Sequence, residues 1–260
     1  MVDDGSTDNT FEIVAECRDN RLFYFAKANG ERGAARNYGI KKSKGSYVIF
    51  LDSDDCMHSE HLSILHSKIV ELKNINFIAT KYNFLRDDTI RASGLESMRE
   101  GYYSLDDFVD GNFIACNLCI KKDNPNLHLF EEDRRYAAVE DWMFILENTQ
   151  SDRLYLVDAV TITMNDHDQR SMRADNEALI RRMELAGQWM QQRLKLSNEQ
   201  QRRLLGRVYY LCAIHAYADG RRGPALRYAR QAAPGLSFKA RMLLLARIVV
   251  GPRVVGLLKG

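Results

Sequence analysis

At 260 residues the chain is long enough for one substantial core, or a core with a smaller helical unit attached. Its 45% hydrophobic and 28% charged composition is that of an ordinary globular protein, which excludes a disordered or fibrous chain. The net charge of +2 conceals an asymmetry: residues 1–175 carry 21 Lys and Arg against 31 Asp and Glu, whereas residues 176–260 carry 16 against 4. An acidic front suits metal and sugar chemistry. A basic rear suits an anionic surface or a phosphate-bearing acceptor. Five cysteines, with no secretory leader at the start, point to a reducing, cytoplasmic compartment.

The chain opens on Met1-Val2-Asp3-Asp4-Gly5-Ser6, which reads as the end of a buried strand running into a turn. With one residue ahead of the acidic pair, the expectation is a shortened version of a longer fold. Asn9 and Glu12 offer a capping box for a helix over 9–19, with Phe11, Val14 and Ala15 at helical spacing. Leu22 to Ala26 suits a short buried strand, and Gly30 and Gly33 bracket the entry to a helix near 33–43. Tyr47 to Leu51 is a further buried strand. Ser59 can cap a helix to about Lys73, and Phe77 to Phe84 reads as a strand. Residues 86–135 are polar and turn-rich, with a short helix at Leu105 to Val109. Phe113 to Ile120 reads as a strand, on which Cys116 and Cys119 face opposite ways. With no second CxxC, these two are small buried hydrophobes and not zinc ligands. Val139 to Asn148 is helical and Leu154 to Met164 a strand. From Asn176 onward the pattern is helical, broken at Gly220 to Pro224 and at Pro234-Gly235.

Strands alternating with helices over short connections predict an α/β fold with a mostly parallel sheet, in which ligands bind beyond the carboxyl ends of the strands. Both acidic clusters, Asp3-Asp4 and Asp52 to Asp55, fall there. Carboxylates gathered at a strand end repel one another unless a cation sits among them, and a hard divalent ion meets that need. A DxD alone is a weak signal, because short acidic turns are common on surfaces.

Read together, three segments are more specific: Val2-Asp3-Asp4-Gly5-Ser6-Thr7-Asp8, then Asn29-Gly30-x-x-Gly33-Ala34-Ala35-Arg36-Asn37-x-Gly39, then Phe50-Leu51-Asp52-Ser53-Asp54-Asp55. In this order they closely resemble successive motifs of family 2 glycosyltransferases with the GT-A (Rossmann-like) fold. Val139-Glu140-Asp141-Trp142-x-Phe144 resembles that family's Glu-Asp motif at a helix start. The resemblance covers residues 2–170. It implies a metal-dependent, inverting hexosyltransferase-type enzyme that uses a UDP- or dTDP-sugar donor and Mn²⁺ or Mg²⁺. Asp3 or Asp4 would contact the base, Arg36 and Asn37 the nucleotide, Asp52 and Asp54 the ribose, diphosphate and metal, and Asp141 would be the catalytic base. His167 and Arg170, in the polar stretch after the Glu-Asp helix, would close over the diphosphate.

Each assignment has a plainer rival. Asp3 and Asp4 could cap the following helix, Arg36 could be a solvated helix residue, and Glu140 and Asp141 could be first-turn acids, Glu140 especially. Asp55 could only shape the turn, 166–172 could be an exposed loop, and His58 and His61 read as helix-start residues. The chain departs from the family in its first strand and helix, with their Pro-x-Tyr/Phe-Asn motif, and in the QxxRW motif of processive synthases. A single-addition enzyme is expected, acting on a saccharide or lipid-linked acceptor in cell-surface polysaccharide or lipopolysaccharide assembly, with no nucleic-acid partner.

Residues 1–175 are then the catalytic domain and 176–260 a helical C-terminal extension. Val208 to Ala233 loosely resembles one tetratricopeptide-like hairpin. Phe238 to Lys259 mixes apolar triplets with arginines, too interrupted to span a bilayer, and suits a peripheral position on an anionic inner membrane face. Two other readings stand beside the enzyme: a non-catalytic fragment or nucleotide-sugar-binding module that needs a partner, and, less favoured for want of a glycine-rich phosphate loop with lysine, a nucleotidyltransferase.

Overall fold

A computed structural model describes residues 1–166 and 175–250. Val2–Asp3 (β1) pairs in parallel with Phe25–Ala26 (β2) across Thr10–Glu16 (α1). The Asn9 side chain makes no cap bond; Asp8 instead accepts from the amide and hydroxyl of Thr10. Glu31–Lys42 (α2) buries Gly33, Asn37 and Ile40, a helical three-to-four spacing.

A second, larger sheet is built from Tyr47–Ile49 (β3), Cys56–Met57 (β4), Phe77–Arg86 (β5), Thr89–Ala92 (β6), Gly101–Tyr103 (β7), Cys119–Lys121 (β8) and Leu154–Asn165 (β9). Its path is β3-β8-β5-β9-β4, with β6 beside β5 and β7 beside β9. Helices His61–Leu72 (α3), Leu105–Phe108 (α4) and Glu140–Asn148 (α5) flank it.

The architecture is the expected α/β sheet flanked by helices, with one correction. Parallel pairing is confined to β1–β2 and β5–β9, and every other pairing in the larger sheet is antiparallel, so the sheet is mixed. Residues 86–121 return to the sheet through short turns and not through long helical crossovers. Such connections permit only antiparallel neighbours. The strand expected over Phe113 to Ile120 begins only at Cys119. Asn112 pins a turn there, accepting from the amide of Ile114 and donating to the carbonyl of Ala115, whose φ is +51°.

Beyond residue 175 come Asn176–Arg193 (α6), Asn198–Ala218 (α7), Arg222–Ala232 (α8) and Phe238–Val250 (α9). They share one core with the sheet: Phe77, Leu154 and Leu156 belong to the same apolar cluster as Leu179, Met190, Val208, Ala225 and Ile248. Part of the basic rear neutralises the acidic front directly. Arg203 bonds Asp106 and Asp110 at 2.9 and 2.6 Å, and Arg193 bonds Glu147 at 2.9 Å. No helix among the described residues is long and apolar enough to cross a membrane.

Candidate functional site

An aromatic column carries the site. Phe50, just past β3, meets Phe130 edge-on at 5.4 Å; Phe130 stacks on Phe144 of α5 at 3.9 Å; Phe144 meets Phe77 of β5 at 6.4 Å. Phe50 delivers Asp52 two residues later, and Phe144 fixes the helix that opens on Glu140 and Asp141. The column therefore sets the separation of the two acidic segments by packing that tolerates little slack.

Arg36 lies between those segments, with its side chain 9% exposed and its guanidinium 5.5 Å from the Phe130 ring centroid. It donates to both Asp52 oxygens at 2.9 and 3.2 Å and to Glu140 at 3.1 Å. Arg32, one turn earlier, lies 3.3 Å from the same Glu140 oxygen. Glu140 is 2% exposed and its second oxygen, Oε2, is buried without a hydrogen-bond partner. Two guanidiniums on one carboxylate make a rigid charged floor, not a solvated helix surface.

Gly33 permits this packing. A Cβ at Gly33 would lie 2.4 Å from the Glu131 carbonyl oxygen, so only glycine lets α2 approach the 130–132 segment. Asn37 clasps that segment, accepting from the Phe130 amide at 2.9 Å and donating to its carbonyl and to Glu132 at 2.8 Å each.

Asp141 follows Ala138, whose φ of +74° is strained for a residue with a Cβ, and opens α5. Its carboxylate accepts from the Trp142 amide at 2.7 Å. Burial, reinforced by the neighbouring Glu140, pushes its pKa up to about 6. That value suits a group that takes a proton near neutrality.

The carboxylate oxygens of Asp52, Asp54 and Asp55 lie within 4.8 Å of one another. Three oxygens this close, with Asp54 exposed, fit a divalent cation that completes its shell with ligand oxygens and water. Asp55 also accepts from the Asn165 amide at 3.0 Å, which ties the turn to the end of β9.

A cavity of about 510 Å³ is lined by Arg32, Arg36, Asp52, Asp55, Asp141 and Asp166, with Asp54 on the same turn but outside the lining. Asp3 and Asp4 do not. Asp3 accepts from the Tyr24 hydroxyl and the Ser6 amide, which hold its pKa down to about 2. Asp4 pairs with Lys27 at 2.6 Å and accepts from the Gly30 amide at 2.9 Å. Asn37 is likewise outside the lining. His167 and Arg170 lie outside the described residues.

His61 is buried and shares a hydrogen bond with Thr161 at 2.6 Å; Thr161 donates to Thr80 at 2.7 Å, and Asn117 at the cavity wall donates to the Thr80 carbonyl at 2.5 Å. The sequence reading missed this chain, together with Arg32, Tyr82 and Asp166 as cavity residues. Only Arg32 carried a signal, one helical turn before Arg36. Burial pushes the thiols of Cys116 and Cys119 up to about 12, as expected of inert cysteines.

The fold matches that of residues 1–349 of TarS from S. aureus, solved in complex with UDP-GlcNAc: the TM-score is 0.67 at 19% identity, over 94% of this chain and 76% of that one. In this GT-A fold a carboxylate turn and an arginine-tied floor meet at one cavity. Residues 1–119 match the model for glycosyl transferase family 2. An uncharacterized glycosyltransferase of Rickettsia conorii is 39% identical over 105 residues, 40% of this chain and 17% of that protein. Glycosyltransferase GlyA of Streptococcus pneumoniae is 38% identical over 86 residues, 32% of this chain and 12% of that one. The chain thus matches less than a fifth of the length of either relative.

Proposed function

We propose that the chain transfers a sugar, with inversion, from a UDP- or dTDP-linked donor to a saccharide or lipid-linked acceptor of cell-surface polysaccharide or lipopolysaccharide. The observation that carries this reading is one cavity lined by Arg36, by Asp52 and by a raised-pKa carboxylate, Asp141. The TarS neighbour's complex with UDP-GlcNAc supports the donor class.

Asp141 accepts the acceptor hydroxyl proton as the oxygen attacks the anomeric carbon, and the nucleoside diphosphate leaves from the opposite face. One displacement inverts the centre. Arg36, held by Glu140, keeps Asp52 in place and supplies positive charge beside the leaving group. Asp52 and Asp54 would hold Mn²⁺ or Mg²⁺, which offsets negative charge on the diphosphate when bound.

Hydrolysis of the nucleotide sugar should require the metal and disappear in Asp54→Ala; wild-type turnover in that variant refutes the metal role. Asp141→Asn should retain donor binding by calorimetry while transfer falls about 10²–10⁴-fold. Equal loss of both would make Asp141 structural.

A second reading, a nucleotide-sugar-binding module completed by a partner, is favoured by the front layer, where Phe11, Ile13 and Phe23 are exposed. Cooperative melting of the isolated chain, with a midpoint raised by nucleotide, argues against it. For location we propose a cytoplasmic protein at the inner membrane face, because Phe238, Met242, Leu245 and Val249 form an exposed apolar stripe on α9 beside Lys239, Arg241 and Arg247. Co-sedimentation with anionic but not neutral vesicles, weakened by Met242→Asp, is the expected result.

A further inference from the structure

Three arginines reach the cavity, and they differ in one respect. Arg32 and Arg36 are neutralised by Glu140 and Asp52. Arg207, contributed by α7, lines the same cavity but has no carboxylate within ion-pair distance among the described residues. Its Nε is buried without a hydrogen-bond partner, and its guanidinium lies 5.4 Å from the Tyr210 ring centroid. An aromatic face offsets only part of the lost hydration of a guanidinium edge. Such a guanidinium is free to receive an anion that the described residues do not supply.

The surroundings keep Arg207 in place. One turn earlier, Arg203 bonds Asp106 and Asp110, which anchors α7 to the residues around α4. Gly111 follows directly, at a φ of +139° that favours glycine, and a Cβ there would approach Arg207 Nε to 3.2 Å. The same segment is tied to the proposed base: the Trp142 indole, next to Asp141, donates to the Phe108 carbonyl at 2.8 Å. The wall that bears Arg207 is therefore braced against Asp141, while Arg36 braces Asp52. In an in-line displacement the acceptor enters on the side of the base.

We propose that Arg207 binds a phosphate group carried by the acceptor, so that the helices after residue 175 form part of the acceptor site. A guanidinium fork matches phosphate oxygens and confers specificity on the incoming substrate, not on the chemistry. The proposal rests on the reading of this cavity as a nucleotide-sugar transfer site.

The test is calorimetric titration of methyl phosphate into the full chain with the nucleotide end saturated by UDP and Mn²⁺. Wild type binds methyl phosphate in preference to acetate. Arg207→Ala weakens that binding by about tenfold or more, Arg207→Lys retains part of it, and UDP affinity is unchanged in both. Equal affinity in wild type and variant overturns the proposal, as does equal binding of acetate. A parallel fall in UDP affinity assigns Arg207 to the donor and overturns it too. Should Arg207→Ala melt early, Arg207→Lys and Arg207→Gln carry the comparison. A wild type that binds no nucleoside diphosphate defeats the transferase reading itself, whereas UDP bound without methyl phosphate defeats this inference alone.

Discussion

Helix α1 buries none of its seven residues, whereas α5 buries eight of its nine. The two helices follow the two ends of the motif set, Asp3-Asp4 and Glu140-Asp141, yet they stand on different foundations. The front layer is a two-stranded sheet with Phe11, Ile13 and Phe23 exposed; the body is a seven-stranded sheet whose core continues into α6 and α7. The family match ends at residue 119, ahead of α5, β9 and the helical rear. Most of the motif set therefore sits in one part of the chain and most of the buried mass in another. Asp141 belongs to the second part, so the proposed chemistry depends on a core that the front motifs do not supply.

Removing core from the body should show this most strongly. Phe144→Ala, which deletes a ring stacked on Phe130 and set against Phe77, should cost about 3–5 kcal/mol in urea unfolding. A loss below about 1 kcal/mol would mean that the aromatic column does not support the site.

The Asp141 carboxylate gives the next effect, in the opposite sense. Its pKa of about 6 lies above the usual 3.8, so the folded state holds this proton more tightly than the unfolded chain does. The stability it contributes is full below about pH 4 and is lost as pH rises through about 6. Asp141→Asn should therefore be about 3 kcal/mol more stable than wild type at about pH 8 and converge with it below about pH 4, measured with chelator present. A constant difference across that range would exclude the titration. Transfer by wild type should rise through the same pH of about 6 as Asp141 loses its proton.

Gly33→Ala tests the seam between the two regions. With the Glu131 carbonyl oxygen 2.4 Å from the added Cβ, α2 has to shift, at about 1–3 kcal/mol, and nucleotide affinity should fall because Arg36 moves with it. The front surface should respond least: Ile13→Ala, at a side chain 60% exposed, should change stability by no more than about 0.5 kcal/mol. A larger loss would show that α1 packs against more than its exposure suggests.

Some of this was legible in the residues. Apolar runs and glycines placed β3, β5, β9, α2, α3 and α5 to within a few residues, because burial on two faces leaves a continuous signature and helix ends carry their own residues. The Asp52 turn and the Glu140-Asp141 helix start were readable for the same reason. The return strands β6 and β7 were not. Thr89–Ala92 is exposed throughout, and such an edge strand pairs through its backbone, which leaves little trace in side-chain pattern.

By itself the sequence determined most of the longer elements, the GT-A resemblance and the acidic turn and helix start, since local spacing and residue type suffice for those. Tertiary structure alone decided which charges are paired. Asp4 is held by Lys27, Asn37 is spent on the 130–132 segment, Glu140 binds two arginines, and Arg207 carries no partner carboxylate among the described residues. Pairing depends on distances between residues a hundred positions apart, such as Arg36 and Glu140, and no local pattern encodes it.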